Sequence, residues 1–239
     1  MHNFDENGLE KTMNGFGSMH DLTKLSKVFI EKCKNYKNPV IDVGCAYGAV
    51  VIPALEQGAT VIANDMDLRH LDILQKRTPK EYLDKLNCVK GQFPDDLNFS
   101  ENSLDAAHIS FVLSFLNGEK VEVGLKKIYK WLNHKGELFI VNHTPFVKMI
   151  DDFLPIYESR KKQGVKWAGY IENAEMYIKK NMYSKNIPNQ LHQFDIEILS
   201  EVLQEIGFVI KEAYYFTLPG IPEEYKLDGR ECVGIIAEK

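Results

Sequence analysis

Asp42, Gly44, Gly48 and Asp65 are the residues whose types and spacing carry the most specific chemistry. The two glycines fall in Val-Ile-Asp-Val-Gly-Cys-Ala-Tyr-Gly, residues 40–48, at a strand-to-helix turn where glycine lets a ligand approach the backbone closely. A dinucleotide fingerprint needs Gly-x-Gly-x-x-Gly, but the corresponding positions hold Gly44, Ala46 and Ala49, and no Gly-Lys-Ser/Thr of a P-loop exists. Asp42 points the same way, because a carboxylate beside a pyrophosphate costs Coulomb energy whereas beside a cation it is favourable. Asp65 lies 17 residues after Gly48, at the end of a second apolar run, where a carboxylate accepts hydrogen bonds from both ribose hydroxyls. Together these four residues describe a seat for a nucleoside without phosphates and with positive charge.

Holding such a seat takes alternating strands and helices. Residues 22–33 place Leu22, Leu25, Val28, Phe29 and Cys33 at helical spacing, which predicts an amphipathic helix covering a sheet. Strands are predicted at 40–43, 60–64, 88–90, 104–111 and 137–142, with helices at 47–57, 68–77 and 119–132 between them, the order of a parallel α/β sheet. After Pro145 the rhythm breaks. Residues 146–192 carry two helical stripes, Met149, Ile150, Phe153, Leu154 and Tyr157, then Ile171, Ala174, Ile178 and Met182, with no strand between. A helix over 194–206, stopped by Gly207, precedes strands at 208–217 and 231–238, which no helix separates and which therefore pair antiparallel.

The whole sequence of 239 residues is 44% hydrophobic and 26% charged, which excludes disorder and leaves one domain, 1–239, with 146–192 as a helical cap insertion. With 34 acidic against 29 basic residues and a net charge of -5, it lacks the electrostatic footprint of a nucleic-acid binder. No run approaches the roughly 18 apolar residues of a membrane span, and the first twenty residues lack a signal peptide's pattern, so a cytoplasmic address is expected. Cys33, Cys45, Cys88 and Cys232 form no Cys-x-x-Cys pair, and no metal site is expected.

The motif set resembles the class I S-adenosylmethionine-dependent methyltransferases. Asp42, Gly44, Ala46 and Gly48 match that family's Asp-x-Gly-x-Gly-x-Gly, with Ala46 replacing the middle glycine. By the same resemblance Asp65 is the ribose-binding acid and Met66 the apolar residue on adenine. Gly91-Gln-Phe93 falls where the family has Gly-Asp-x, so Gln92 and Phe93 are placed at the adenine amine and Ser110 at the end of the fourth strand. Ser103-Leu-Asp-Ala106, Leu132-Asn-His-Lys-Gly-Glu-Leu138 and Gly207-Phe-Val209 agree with further family segments. The resemblance implies a Rossmann-like, seven-stranded, mostly parallel sheet of order 3-2-1-4-5-7-6, its last strand antiparallel and helices on both faces. It also implies S-adenosyl-L-methionine as cofactor and S-adenosyl-L-homocysteine as product.

Acceptor chemistry belongs beyond the carboxyl ends of the strands. His143, after the fifth strand, is the candidate base, set against the plainer reading of a strand-end histidine that bonds a loop carbonyl. His108 reads as a packed sheet residue and His192 as a surface loop residue. The segment after strand four lacks the Asn/Asp-Pro-Pro-Tyr/Phe motif of enzymes that methylate bases or glutamine amides. Arg160-Lys-Lys162, Lys166 and Lys179-Lys180 read as solvated helix faces, the alternative being attraction of an anionic substrate. Phe146, Phe153, Tyr157, Trp167, Tyr170 and Tyr177 are read as the insertion's own core or as a pocket wall. The expected function is methyl transfer to a small-molecule acceptor beneath the cap, with no nucleic-acid or membrane partner. The alternatives are a protein methyltransferase and a cofactor-binding regulatory protein.

Overall fold

Short apolar runs and amphipathic stretches follow one another along the chain, and the fold stacks them in that order. The computed structural model describes residues 11–15, 21–178, 188–221 and 223–239. Its strands are β1 (Val40–Val43), β2 (Val61–Asp65), β3 (Leu86–Lys90), β4 (Leu104–Ser110), β5 (Leu132–His143), β6 (Tyr170–Ile171), β7 (Leu191–His192), β8 (Val209–Phe216) and β9 (Cys232–Glu238). Seven of them form one sheet of order β3-β2-β1-β4-β5-β9-β8, and β6 pairs only with β7. With that two-residue pair set aside, the order is the expected 3-2-1-4-5-7-6. Strands β1 to β5 run parallel, and β9 lies antiparallel to both β5 and β8.

Every residue of β1 and β2 is buried, as a parallel sheet covered on both faces requires. One face is covered by α1 (Lys24–Lys32), α2 (Val51–Glu56) and α3 (Leu68–Arg77). Phe29 of α1 meets Phe139 of β5 edge-on at 5.4 Å, so the first helix does lie on the sheet. The other face is covered by α4 (Gly118–Trp131), whose Val121, Leu125, Ile128 and Trp131 form the apolar stripe, and by α6 (Ile196–Ile206). Asp195 caps α6 by accepting from the Ile198 N–H at 2.8 Å, and Gly207, at φ +117°, ends it in the left-handed region. No helix among the described residues is long and apolar enough to cross a membrane.

Two expectations need correction. The helix predicted at 47–57 begins only at Val51, because Ala46 and Gly48 turn left-handed and the Gly48 N–H closes a tight turn on the Cys45 carbonyl at 2.9 Å. In the insertion the first stripe forms a 3-10 turn, Lys148–Phe153, and α5 (Leu154–Lys162), with Ile150, Phe153 and Tyr157 buried. Over residues 171–178 the second stripe does not form an α-helix. Ile171 lies in β6, Ala174 in the 3-10 turn Ala174–Met176, and Met182, like Lys179 and Lys180, lies outside the described residues. Gly164 at φ +72° follows α5, and Trp167, Tyr170 and Ile171 are types that favour extended chain; Tyr170 and Ile171 pair with His192 and Leu191.

Candidate functional site

The turn after β1 is left-handed at alternate residues, with φ +71° at Gly44, +44° at Ala46 and +86° at Gly48. Its amides are tied to the end of β2: the Cys45 N–H donates to the Asn64 carbonyl at 2.8 Å and the Ala46 N–H to Asp65 Oδ2 at 3.0 Å. A Cβ at Gly44 would stand 2.3 Å from Val112 Cγ2, and one at Gly48 would stand 2.2 Å from Leu74 Cδ1. Sterics and backbone sign thus both require glycine at these positions. Ala46 holds its left-handed turn at a cost of about 1–2 kcal/mol.

Asp65, at the carboxyl end of β2, is 5% exposed. Besides the Ala46 amide on Oδ2, its Oδ1 accepts from the Asp67 N–H at 2.9 Å and lies 3.0 Å from His70 Nδ1. A carboxylate offers about four lone-pair positions, so these three bonds leave about one for a ligand. Nε2 of His70 accepts the Met13 N–H at 3.1 Å, which makes Nδ1–H the donor to Asp65. Tyr47 packs edge-on against His70 at 5.0 Å and donates its hydroxyl to the Lys11 carbonyl at 2.9 Å. Residues 11–13 are therefore strapped beside the seat. Next to Asp65, Met66 and Leu68 are 45% and 51% exposed, an apolar surface of the kind a flat base covers. Sequence reasoning named Met66 but missed Leu68, Tyr47 and His70; the placement of His70 in the first turn of α3, after Asp65, was the available signal.

The remaining expected positions divide. Gln92 is exposed after β3, and its N–H donates to Asp96 Oδ2 at 2.9 Å, so a carboxylate does stand at the corner where glutamine replaces the family's acid. Phe93 faces elsewhere: it is 4% exposed and inside the core, packed so closely on Gly124 that a Cβ there would meet its Cζ at 2.4 Å. Asp42 is buried and held at one carboxylate oxygen. Its Oδ1 lies 2.7 Å from His108 Nδ1, whose Nε2 lies 3.0 Å from Ser26 Oγ, and all three are buried. Ser110 is half-buried at the end of β4 and precedes Phe111, an aromatic residue held at φ +60°.

The Phe111 ring lies 4.4 Å from that of His143, and His143 Nδ1 is 3.7 Å from Cys232 Sγ. Burial pushes the Cys232 thiol well up, so it keeps its proton. Asn142, wholly buried, donates from Nδ2 to Ser114 Oγ at 2.9 Å. His192 is no surface residue: it is 1% exposed, and its Nδ1–H donates to the Leu116 carbonyl at 3.0 Å. Its position was illegible because the antiparallel pairing of β7 with β6, which buries it, is non-local. Phe194 lies 4.1 Å from its ring, with Trp167 and Tyr170 edge-on at 5.0 and 5.4 Å. Burial pulls its pKa down to about 4. Among the described basic side chains of the insertion, Arg160 donates to the Tyr170 carbonyl at 2.6 Å and Lys166 pairs with Glu122 and Glu205. Phe146, Phe153 and Tyr157 form the insertion's core, as expected of them.

Residues 40–136 match the family model described as a methyltransferase domain. In those residues this chain is a methyltransferase domain. The ribosomal protein L11 methyltransferases of Thermotoga petrophila and Thermotoga maritima are each 34% identical to it over 129 residues, 53% of this chain and 45% of theirs. The chain thus spans about half the length of the curated relatives it matches. Around that domain the fold continues to match. An S-adenosylmethionine-dependent methyltransferase from Methanosarcina mazei superposes with a TM-score of 0.66 at 16% identity, covering 92% of this chain and 98% of the other. A second, from Mesorhizobium loti, gives 0.62 at 16% identity over 90% and 98%. A glycopeptide N-methyltransferase solved with S-adenosylmethionine gives 0.58 at 13% identity over 95% and 96%. In the methyltransferase domain, the turn at Gly44 and the carboxylate of Asp65 occupy the carboxyl edge of the first two strands.

Proposed function

We propose that this protein binds S-adenosylmethionine across the carboxyl ends of β1 and β2 and transfers its methyl group to a small-molecule acceptor beyond β4 and β5. The observation that carries the reading is Asp65: a buried carboxylate with about one lone pair left, between a left-handed glycine turn and the exposed Met66 and Leu68. When bound, the cofactor supplies a methyl group already activated by its sulfonium, which an acceptor takes by in-line displacement. Asp65 accepts a ribose hydroxyl, and Met66 with Leu68 covers one face of the adenine. Gln92 and Asp96 border the adenine edge. Gly44 and Ala46 let the amino-acid tail pass the backbone, beside Ser110. His143 takes the proton that an N–H or O–H acceptor releases. The section 146–178, with β7, covers the acceptor side and excludes water.

Calorimetry with S-adenosylmethionine and S-adenosylhomocysteine, followed by a product assay on small amine, phenol and thiol acceptors, tests this. Binding and turnover are expected; binding without turnover on any acceptor overturns transfer and leaves the regulatory reading. A protein acceptor is the second reading, favoured by the likeness to the ribosomal protein L11 methyltransferases. Turnover on a ribosomal protein fraction, with none on the small acceptors, establishes it instead.

A further inference from the structure

Near the carboxyl end of β5, buried hydrogen-bond acceptors lack a donor. Nε2 of His192 and Oδ1 of Asn142 have no partner, and Oε1 of Gln193, one residue on, is a third. Which atoms are acceptors follows from their neighbours. The Leu116 carbonyl can only accept, so His192 carries its hydrogen on Nδ1 and presents a bare lone pair at Nε2. Nδ2 of Asn142 faces two carbonyls, those of His143 at 3.3 Å and His192 at 3.5 Å, and the hydroxyl of Ser114 at 2.9 Å, which fixes Oδ1 as the unpaired end. Buried polar atoms are ordinarily paired, so the missing complement is an N–H or an O–H.

The surroundings narrow the class. Phe194 stacks on the imidazole, and Trp167 and Tyr170 meet it edge-on and are themselves half-buried. No carboxylate or cationic group is among these contacts. A cation would be desolvated there without a counter-charge, and an anion would face lone pairs. Resting on the methyltransferase reading, we propose that His192 Nε2 and Asn142 Oδ1 recognise the methyl acceptor as an uncharged, flat, largely apolar molecule bearing an N–H or O–H. An imidazole that burial holds near pKa 4 receives hydrogen bonds and is too weak a base to take the proton at neutral pH. His192 is thus a recognition residue, and the proton goes elsewhere.

The test uses the full chain and three matched pairs of probes: phenol and anisole, aniline and N,N-dimethylaniline, indole and 1-methylindole. Ligand-observed NMR is run with and without S-adenosylhomocysteine, on the wild type and on His192→Asn, whose amide keeps the bond to Leu116 and deletes Nε2. The donor-bearing member of at least one pair is expected to bind about tenfold more tightly than its capped partner. That preference is expected to vanish in His192→Asn while affinity for S-adenosylhomocysteine is unchanged. Equal binding within every pair, no binding of any probe, or the same preference in the variant overturns the proposal. Should the variant not fold, 15N-histidine labelling of the wild type decides: the Nε2 resonance must start as an unprotonated, unbonded nitrogen and move with the donor probe but not its capped partner. A resonance that does neither overturns the proposal. Failure of S-adenosylhomocysteine to bind the wild type sinks the cofactor reading instead, and the probe arm without cofactor still reports on His192.

Discussion

Two stretches of the same carboxyl edge treat their polar groups in opposite ways. Around Asp65 the protein answers its own groups: backbone amides and His70 fill about three of the carboxylate's four positions, and Met13 in turn answers His70. Around His192 and Asn142 it leaves lone pairs unanswered in the interior. The first arrangement is a pre-organised seat that is stable without its ligand; the second carries a desolvation cost that a ligand can relieve. The contrast suggests a reason for it: a cofactor site has one occupant to serve, whereas an acceptor site draws selectivity from groups left unpaired when the wrong molecule enters.

Gly44→Val should break the first half of the comparison most severely. With φ at +71° and Val112 2.3 Å from the new Cβ, S-adenosylhomocysteine binding should fall by about 3 kcal/mol or more, while circular dichroism shows a folded protein. Retained affinity in calorimetry would mean the cofactor does not approach that backbone. On the other side, His192 should make stability depend on pH. Its folded pKa of about 4 lies below the unfolded value near 6.5, so the unfolded state binds the proton first. The associated stability is present above pH 6.5 and is lost as pH falls towards 4, about 3 kcal/mol in all. Denaturant melts of wild type and His192→Asn should therefore converge by about that amount across the window; a constant gap would remove the buried neutral imidazole from the account.

Smaller effects sharpen the contrast. Asp65→Ala should weaken S-adenosylhomocysteine binding by about 1–3 kcal/mol, measured by calorimetry, and unchanged affinity would place the ribose elsewhere. Ala46→Gly should raise stability by about 1 kcal/mol in denaturant melts, because glycine relieves a left-handed alanine at φ +44°. A loss of stability there would show that the turn is not strained.

How legible each half was follows from the same difference. The seat is written in contiguous stretches: residues 40–48 and 61–68 name the turn, the acid and Met66, while the alternating periods give a parallel α/β sheet whose strand order the family resemblance supplied. What escaped there was non-local. Asp42 finds His108 66 residues away, and Phe93 goes to the core because Gly124 makes room for it. The acceptor side depends on Tyr170 pairing with His192 and on the Leu116 carbonyl 76 residues distant, neither of which leaves a periodic trace. There the helical stripe misled over 171–178, because the apolar spacing matched a helix while Tyr170 and Ile171 preferred extended chain.

The line from Ser26 Oγ through His108 to Asp42 has a consequence for anyone searching structures by constellation. Hydroxyl to Nε2 at 3.0 Å and Nδ1 to carboxylate at 2.7 Å is the connectivity of a serine hydrolase triad, and a template match would flag it. Yet the would-be nucleophile is only 2% exposed, on the sheet-facing side of the first helix, so no ester can reach it. Burial alone turns a hydrolytic signature into a clasp between that helix and the sheet.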